Sequence, residues 1–338
     1  MKNKSCYALM LLLSSSAVFS AATFNFNYGD GPAEGFNDTG PILVASTAPG
    51  ANIGEQRRAS FEAAINYWGI LLISSQTIIV DAEMNPQSCS SSGAVLGSAG
   101  ASTAHKNFTG ALVADTWYPQ ALANKQRGSD NDGSSDIGAT FNSDIDNNPN
   151  CLGDGMTNSV NWFYATSSGG APANTVSFYD TVLHEVGHGL GVASFVNETT
   201  GEYFGTGFGQ PDIDIYSSFL EDHSTGETWG DAGMTNAERV TSAIDSGDLH
   251  WVGPAVTAEI GTLTAGVSDG HVRMYAPSPL ELGSSVSHFD TVVNAAGTDE
   301  LMEPSATGNE AILITDELLE DIGWGAVLPV ELMLFEIE

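Results

Sequence analysis

Between Glu55 and Leu72 apolar side chains return every three or four residues, placing Phe61, Ala64, Ile65, Trp68 and Leu72 on one side of a predicted amphipathic helix. Thr77-Ile78-Ile79-Val80-Asp81-Ala82 follows as a β-branched run and predicts a strand. A second helical rhythm runs through Val182, Leu183, Val186 and Leu190, with Asp180 and Thr181 as candidate caps at its start. Gly187, Gly189 and Gly191 crowd its end. Each glycine weakens a helix by about 1 kcal/mol relative to alanine, so three together imply close packing and an exit at Gly191. Asp136 to Asn142 predicts another strand ahead of this helix.

Beyond Gly191 the pattern is more broken. Pro211 to Leu220 is partly strand-like, and Thr235 to Ile244 reads as a helix with Asn236 as its cap. Val267 to Tyr275 alternates as a strand, ended by Pro277 and Pro279. Val327 to Glu338 alternates acidic and apolar positions, as a final strand or an acidic tail. The Ser/Gly patch at Ser88 to Ser98 is the one low-complexity block, and no internal repeat appears.

The first 22 residues have the layout of a secretory leader: Lys2 and Lys4, an apolar run from Tyr7 to Leu13, then Ser20-Ala21-Ala22 as a small-residue cleavage site. That run is too short to span a bilayer, and no later segment approaches the ~20 apolar residues a span needs. A soluble, exported chain is therefore expected. Without the leader the chain keeps 42 acidic residues against 7 basic ones. So negative a surface makes nucleic acid and anionic membranes poor partners. It favours solubility, calcium binding or attraction of cationic substrates. Only Cys89 and Cys151 lie beyond the leader, and in an oxidising compartment they are expected to form a disulfide.

His184-Glu185-Val186-Gly187-His188 carries the sharpest chemistry. Histidines four apart on a helix project from one face, so two imidazoles can meet one cation. Glu185 then stands beside water on an open position of that ion, as zinc hydrolases require. A third ligand is needed. His223, His250, His271 and His288 are candidates, as are Glu198 or Glu202 in a thermolysin-like arrangement, and spacing does not choose among them. Asp130-Asn131-Asp132-Gly133-Ser134-Ser135-Asp136 sets oxygens at alternating positions around a glycine turn, making Asp130, Asp132 and Asp136 candidate Ca2+ ligands.

Gly283-Ser284-Ser285-Val286-Ser287-His288-Phe289, followed by Glu300-Leu301-Met302-Glu303-Pro304 and Asp316 to Trp324, resembles the second half of the leishmanolysin family of metzincin zinc proteases. The resemblance runs from about Thr181 to Trp324 and is dense at its two ends. It implies that His288 is the third zinc ligand, displaced by an insertion, because Ser194 stands where the consecutive metzincin pattern has its third histidine. Met302 becomes the methionine of the turn beneath the metal. The implied fold is α+β and two-lobed, with a mixed twisted sheet, an active-site helix and a Met-turn. Residues 23–191 would form the lobe bearing the zinc helix, 192–326 the second lobe, and 327–338 a tail. By the same analogy Ile137, Gly138, Ala139, Thr140 and Phe141 form the edge strand that pairs with substrate.

A hundred residues separate His188 from His288, so the segment between them must loop out and return. The chain also lacks the propeptide cysteine of the membrane-anchored members, and it fits better a soluble bacterial branch. The implied activity is hydrolysis of protein or peptide substrates, with Glu185 as general base and no covalent intermediate. Two alternatives stay open: a thermolysin-like hydrolase with a glutamate third ligand, and an exported binding or adhesion protein whose zinc is structural or absent.

Overall fold

Parallel strands cannot be joined by a tight hairpin, and the first half of the chain meets that constraint with helical crossovers. The computed structural model describes residues 20–43, 45–153, 155 and 160–325. The body of the expected leader (1–19) and the expected tail (327–338) lie outside these. β1 (Phe24–Tyr28) pairs in parallel with β2 (Ile78–Asn85) across α1 (Ile53–Leu71). On the other side of β2 lies β4 (Ile137–Asn142), also parallel, and β3 (Gly97–Ala101) closes the order β1-β2-β4-β3 as an antiparallel edge.

α1 starts where Asn52 accepts the Glu55 N–H, and it buries Phe61, Ala64, Ile65, Trp68 and Leu71. α2 (Phe178–Leu190) packs beside it, and the Trp68 indole donates to the Leu183 carbonyl at 3.1 Å. Between the helices and the sheet, Phe61 meets Phe141 edge-on at 5.9 Å, and Phe141 meets Phe178 at 5.0 Å. Each such pair is worth roughly 0.5–1.5 kcal/mol beyond the area it buries.

After α2 the chain builds a second sheet. Its strands are β5 (Leu220–Asp222), β6 (Glu227–Thr228), β7 (Leu249–Trp251), β8 (Val267–Ser268) and β9 (His271–Arg273), in the order β6-β5-β7-β9-β8 and antiparallel throughout. This excursion occupies the hundred residues between the last helical histidine and His288. The α+β class is as expected. Among the described residues no helix is long and apolar enough to cross a membrane.

Several expectations need correction. Val267 to Tyr275 is not one strand, because Asp269 (φ 52°) and Gly270 (φ 84°) turn it into the β8–β9 hairpin. α3 (Asn236–Ser242) is capped by Thr235, which accepts the Glu238 N–H while Glu238 accepts the Thr235 N–H; Asn236 is the first helical residue. Pro211 to Leu220 enters β5 only at Leu220, after a short 3-10 turn at Ser217–Phe219. β4 is flanked by β2 and β3, so Ile137 to Phe141 cannot offer a free edge. On that side of the sheet the edge belongs to β3, which starts at the end of the Ser/Gly patch.

Cys89 and Cys151 are bonded as expected. Closing a loop of 62 residues stabilises the fold by about 4 kcal/mol in the chain-entropy account.

Candidate metal centre

α2 begins almost a turn earlier than its sequence suggests. Ser177, not Asp180 or Thr181, accepts an N–H, that of Asp180 at 3.2 Å. A cap of this kind is worth about 1 kcal/mol. The helix leaves at Gly191 (φ 127°), as the glycine pattern predicts. Close approach explains the other two glycines. A Cβ at Gly187 would lie 2.8 Å from the Met302 sulfur, and one at Gly189 would collide with Ile137. Met302 is fully buried, so it forms a floor beneath the helix segment that carries the histidines.

The second sheet returns the chain to this place. The Ser194 N–H donates to Ser287 Oγ at 3.0 Å, so the residue standing where a consecutive motif would put its histidine is bonded to the neighbour of His288. The Tyr216 hydroxyl holds the Val286 carbonyl at 2.8 Å, and Asp214 accepts the N–H groups of Phe195 and Ser217.

His184, His188 and His288 meet through their Nε2 atoms, each pair 3.2 Å apart. Each Nδ1 faces a backbone carbonyl: Leu301 at 2.8 Å, Val192 at 2.6 Å and Ser284 at 2.7 Å. A carbonyl only accepts, so every Nδ1 must carry the proton and every Nε2 presents a lone pair. Three lone pairs facing one another have no donor among them, and a shared cation resolves the conflict. A tetrahedral ion with bonds of about 2.0–2.1 Å holds nitrogen ligands about 3.3–3.4 Å apart, which fits this triangle. Burial lowers all three histidine pKa values, that of His188 to about 3 with His184 adding to the effect, and keeps the rings neutral as ligation requires. These three residues can therefore bind a metal ion, and among the described residues they are the one such group.

Glu185 follows the first ligand and is 9 % exposed. Burial pushes its pKa up to about 8, opposed by a hydrogen bond from the Ala99 backbone. β3 runs close above it: a Cβ at Gly97 would come within 3.1 Å of Glu185 Cγ. A cleft of about 960 Å³ brings together Gly97 to Ala99, Glu185, the three histidines and Glu303. A smaller hollow of about 500 Å³ beside Asp81 and Glu83 shares no residue with it.

The other candidates lie elsewhere. His250 is fully buried in β7, where its Nε2 is bonded to Ser268 Oγ at 2.8 Å. Neither Glu198 nor Glu202 joins the three-ligand group. The calcium expectation fails on the direction of Asp136, which is buried and accepts the Ile79 N–H and the Asn124 amide. Asp130 and Asp132 accept the turn's own donors, including the Asp132 and Ser134 N–H groups. Sequence reasoning missed Gly97 to Ala99 and Glu303. Small residues carry almost no strand signal, and nothing in the linear pattern separates Glu303 from the chain's many other acids. Searches against protein-family models, curated proteins and solved structures find no match to this chain.

Proposed function

We propose that this chain is an exported zinc-dependent endopeptidase of the leishmanolysin-like metzincin kind. The observation that carries the proposal is the Nε2 triangle, with each Nδ1 committed to a backbone carbonyl and Glu185 one residue from the first ligand. Imidazole donors at this spacing suit zinc, and three protein ligands leave a fourth position for water, as in catalytic rather than structural sites. Zinc held there would acidify a water molecule and polarise a carbonyl oxygen.

The remaining work falls to the protein. Glu185, held beside the ligands on the same turn, accepts the proton of the attacking water and returns it to the departing amine. β3 has one unpaired edge beside Glu185, and an extended substrate can add to it through main-chain hydrogen bonds. Met302 under Gly187 fixes the height of the helix below the ligands. The Cys89–Cys151 bond suits an oxidising, extracellular setting. A thermolysin-like site would need a carboxylate in the ligand group, and a structural site would have no use for Glu185.

Casein hydrolysis with and without a chelator tests the proposal. Activity should vanish with the chelator and return with added zinc. A metal-loaded protein that leaves casein and short peptides intact would sink it.

A further inference from the structure

The rim of the cleft continues β3 beyond its first residue. Ser92, Gly93, Ala94 and Val95 line the cleft there, with Leu152 beside them. This loop has little to bury: Ser90 to Gly93 are exposed and carry no apolar side chain, and Val95 is 43 % exposed. Packing alone does not repay the entropy of ordering such a segment, so its shape depends on tethers.

Asn142, wholly buried at the end of β4, holds the base of the loop. Its side-chain amide donates to the Val95 carbonyl at 2.7 Å and its Oδ1 accepts the Gln87 N–H at 3.1 Å. The Cys89–Cys151 bond holds the tip. Cys151 is a buried anchor, 1 % exposed, and the Leu152 N–H beside it donates to the Ser90 carbonyl at 2.8 Å. The loop's own bonds, from Ser90 N–H to Gly93 and from Val95 N–H to Ser88, close a turn but attach it to nothing else. The metal centre uses neither tether. His184, His188 and His288, and the carbonyls of Leu301, Val192 and Ser284 behind them, all lie after residue 151. β3 keeps its ladder to β4 whether or not the disulfide is closed.

We propose that Cys89 and Cys151 are positioning residues for substrate: their bond holds the rim at 88–96 as an extension of the β3 edge, so that full affinity for extended peptides exists only in the oxidised protein. This rests on the protease reading above. A substrate strand paired with β3 and running past Gly97 meets the rim, and a rim already in place removes the cost of ordering it on binding. Closing the bond takes two electrons and two protons from the thiols and passes them to a disulfide-bearing oxidant, which leaves as a dithiol. Where thiols stay reduced, the same chain keeps its metal site and binds extended substrate poorly.

The test compares the parent with the Cys89→Ser/Cys151→Ser double variant on two peptides. One has about eight residues, enough to pass both ends of β3, and the other spans only the residues on either side of the cleaved bond. KM for the long peptide should rise about tenfold with kcat kept, the mark of lost uniform binding, while both proteins cleave the short peptide alike. Metal content should be equal. An unchanged KM for the long peptide overturns the proposal. So does an equal loss on both peptides or a loss of metal, since either marks a crosslink that only supports the fold. Parent protein opened by a phosphine, rather than by a thiol that would compete for the metal, needs no variant to fold. It should show the same split, with faster amide exchange at Ser90 and Val95 and unchanged exchange along α2. Unchanged exchange at the rim overturns the proposal without reference to activity. If metal-loaded parent cleaves neither peptide, the protease reading fails and takes the substrate role with it.

Discussion

His184, His188 and His288 point their Nε2 atoms at one another at 3.2 Å, whereas His223, His250 and His271 lie near one another on the second sheet with ring centroids 5.4 and 6.5 Å apart. Both groups hold three imidazoles brought together by the fold, the first joining two neighbours on one helix to a third a hundred residues on. The difference is in what meets the other atoms of each ring. In the first group three backbone carbonyls fix the tautomer and leave three lone pairs converging. In the second, His250 is bonded to Ser268, His271 lies 3.4 Å from Thr257 Oγ1, and His223 lies 3.5 Å from Asp269. A hydroxyl can donate to a ring nitrogen or accept from it, so nothing there forces three lone pairs to converge, although the buried His250 Nδ1 has no partner. Clustering of histidines does not make a ligand set; a carbonyl behind each ring does.

The largest test of this contrast exchanges one histidine from each group. His288→Ala should lower metal affinity by more than about a hundredfold, since loss of outer partners alone costs 10–100-fold, and proteolysis should disappear with it. His250→Ala should keep one metal per chain and full proteolysis. Its cost should appear in denaturant unfolding as roughly 1–3 kcal/mol, from a buried hydrogen bond left half made. Equal metal loss in both variants would erase the distinction.

The next test separates holding the ion from using it. Glu185→Gln should retain metal while turnover falls by about 10²–10⁴, the range of general acid–base contributions. Parental turnover in that variant would remove Glu185 from the chemistry. A smaller effect is expected beneath the helix. Gly187→Ala places a methyl 2.8 Å from the Met302 sulfur and should cost about 1–3 kcal/mol in unfolding. The double change with Met302→Ala should recover part of that loss, and independent losses would show that the two residues do not touch.

What the sequence made legible follows from how far each signal reaches. α1 and α2 have apolar faces with helical period, and both form around those faces, α2 starting almost a turn earlier than expected. His184, Glu185 and His188 are local in the chain, so their common face was readable from spacing. His288 was not, because a separation of 100 residues is bridged only by tertiary structure; the Ser-His and Met-x-Pro motifs pointed to it by resemblance. β3 was hidden because Gly97 must be small to pass Glu185, and small residues have weak strand propensity. Assigning the edge to β4 followed strand order along the chain, and strand order in space is not fixed by it. The calcium expectation failed because alternating oxygens in sequence say nothing of direction, and Asp136 turns inward to Ile79 and Asn124.

The most direct measurement is the zinc K-edge absorption spectrum of the protein loaded with one equivalent of metal. The triangle of Nε2 atoms predicts three imidazole nitrogens and one oxygen at about 2.0–2.1 Å, with no sulfur. A spectrum with two imidazoles or fewer, or a protein that fails to take up one equivalent, would contradict the convergence of His184, His188 and His288 on a single ion.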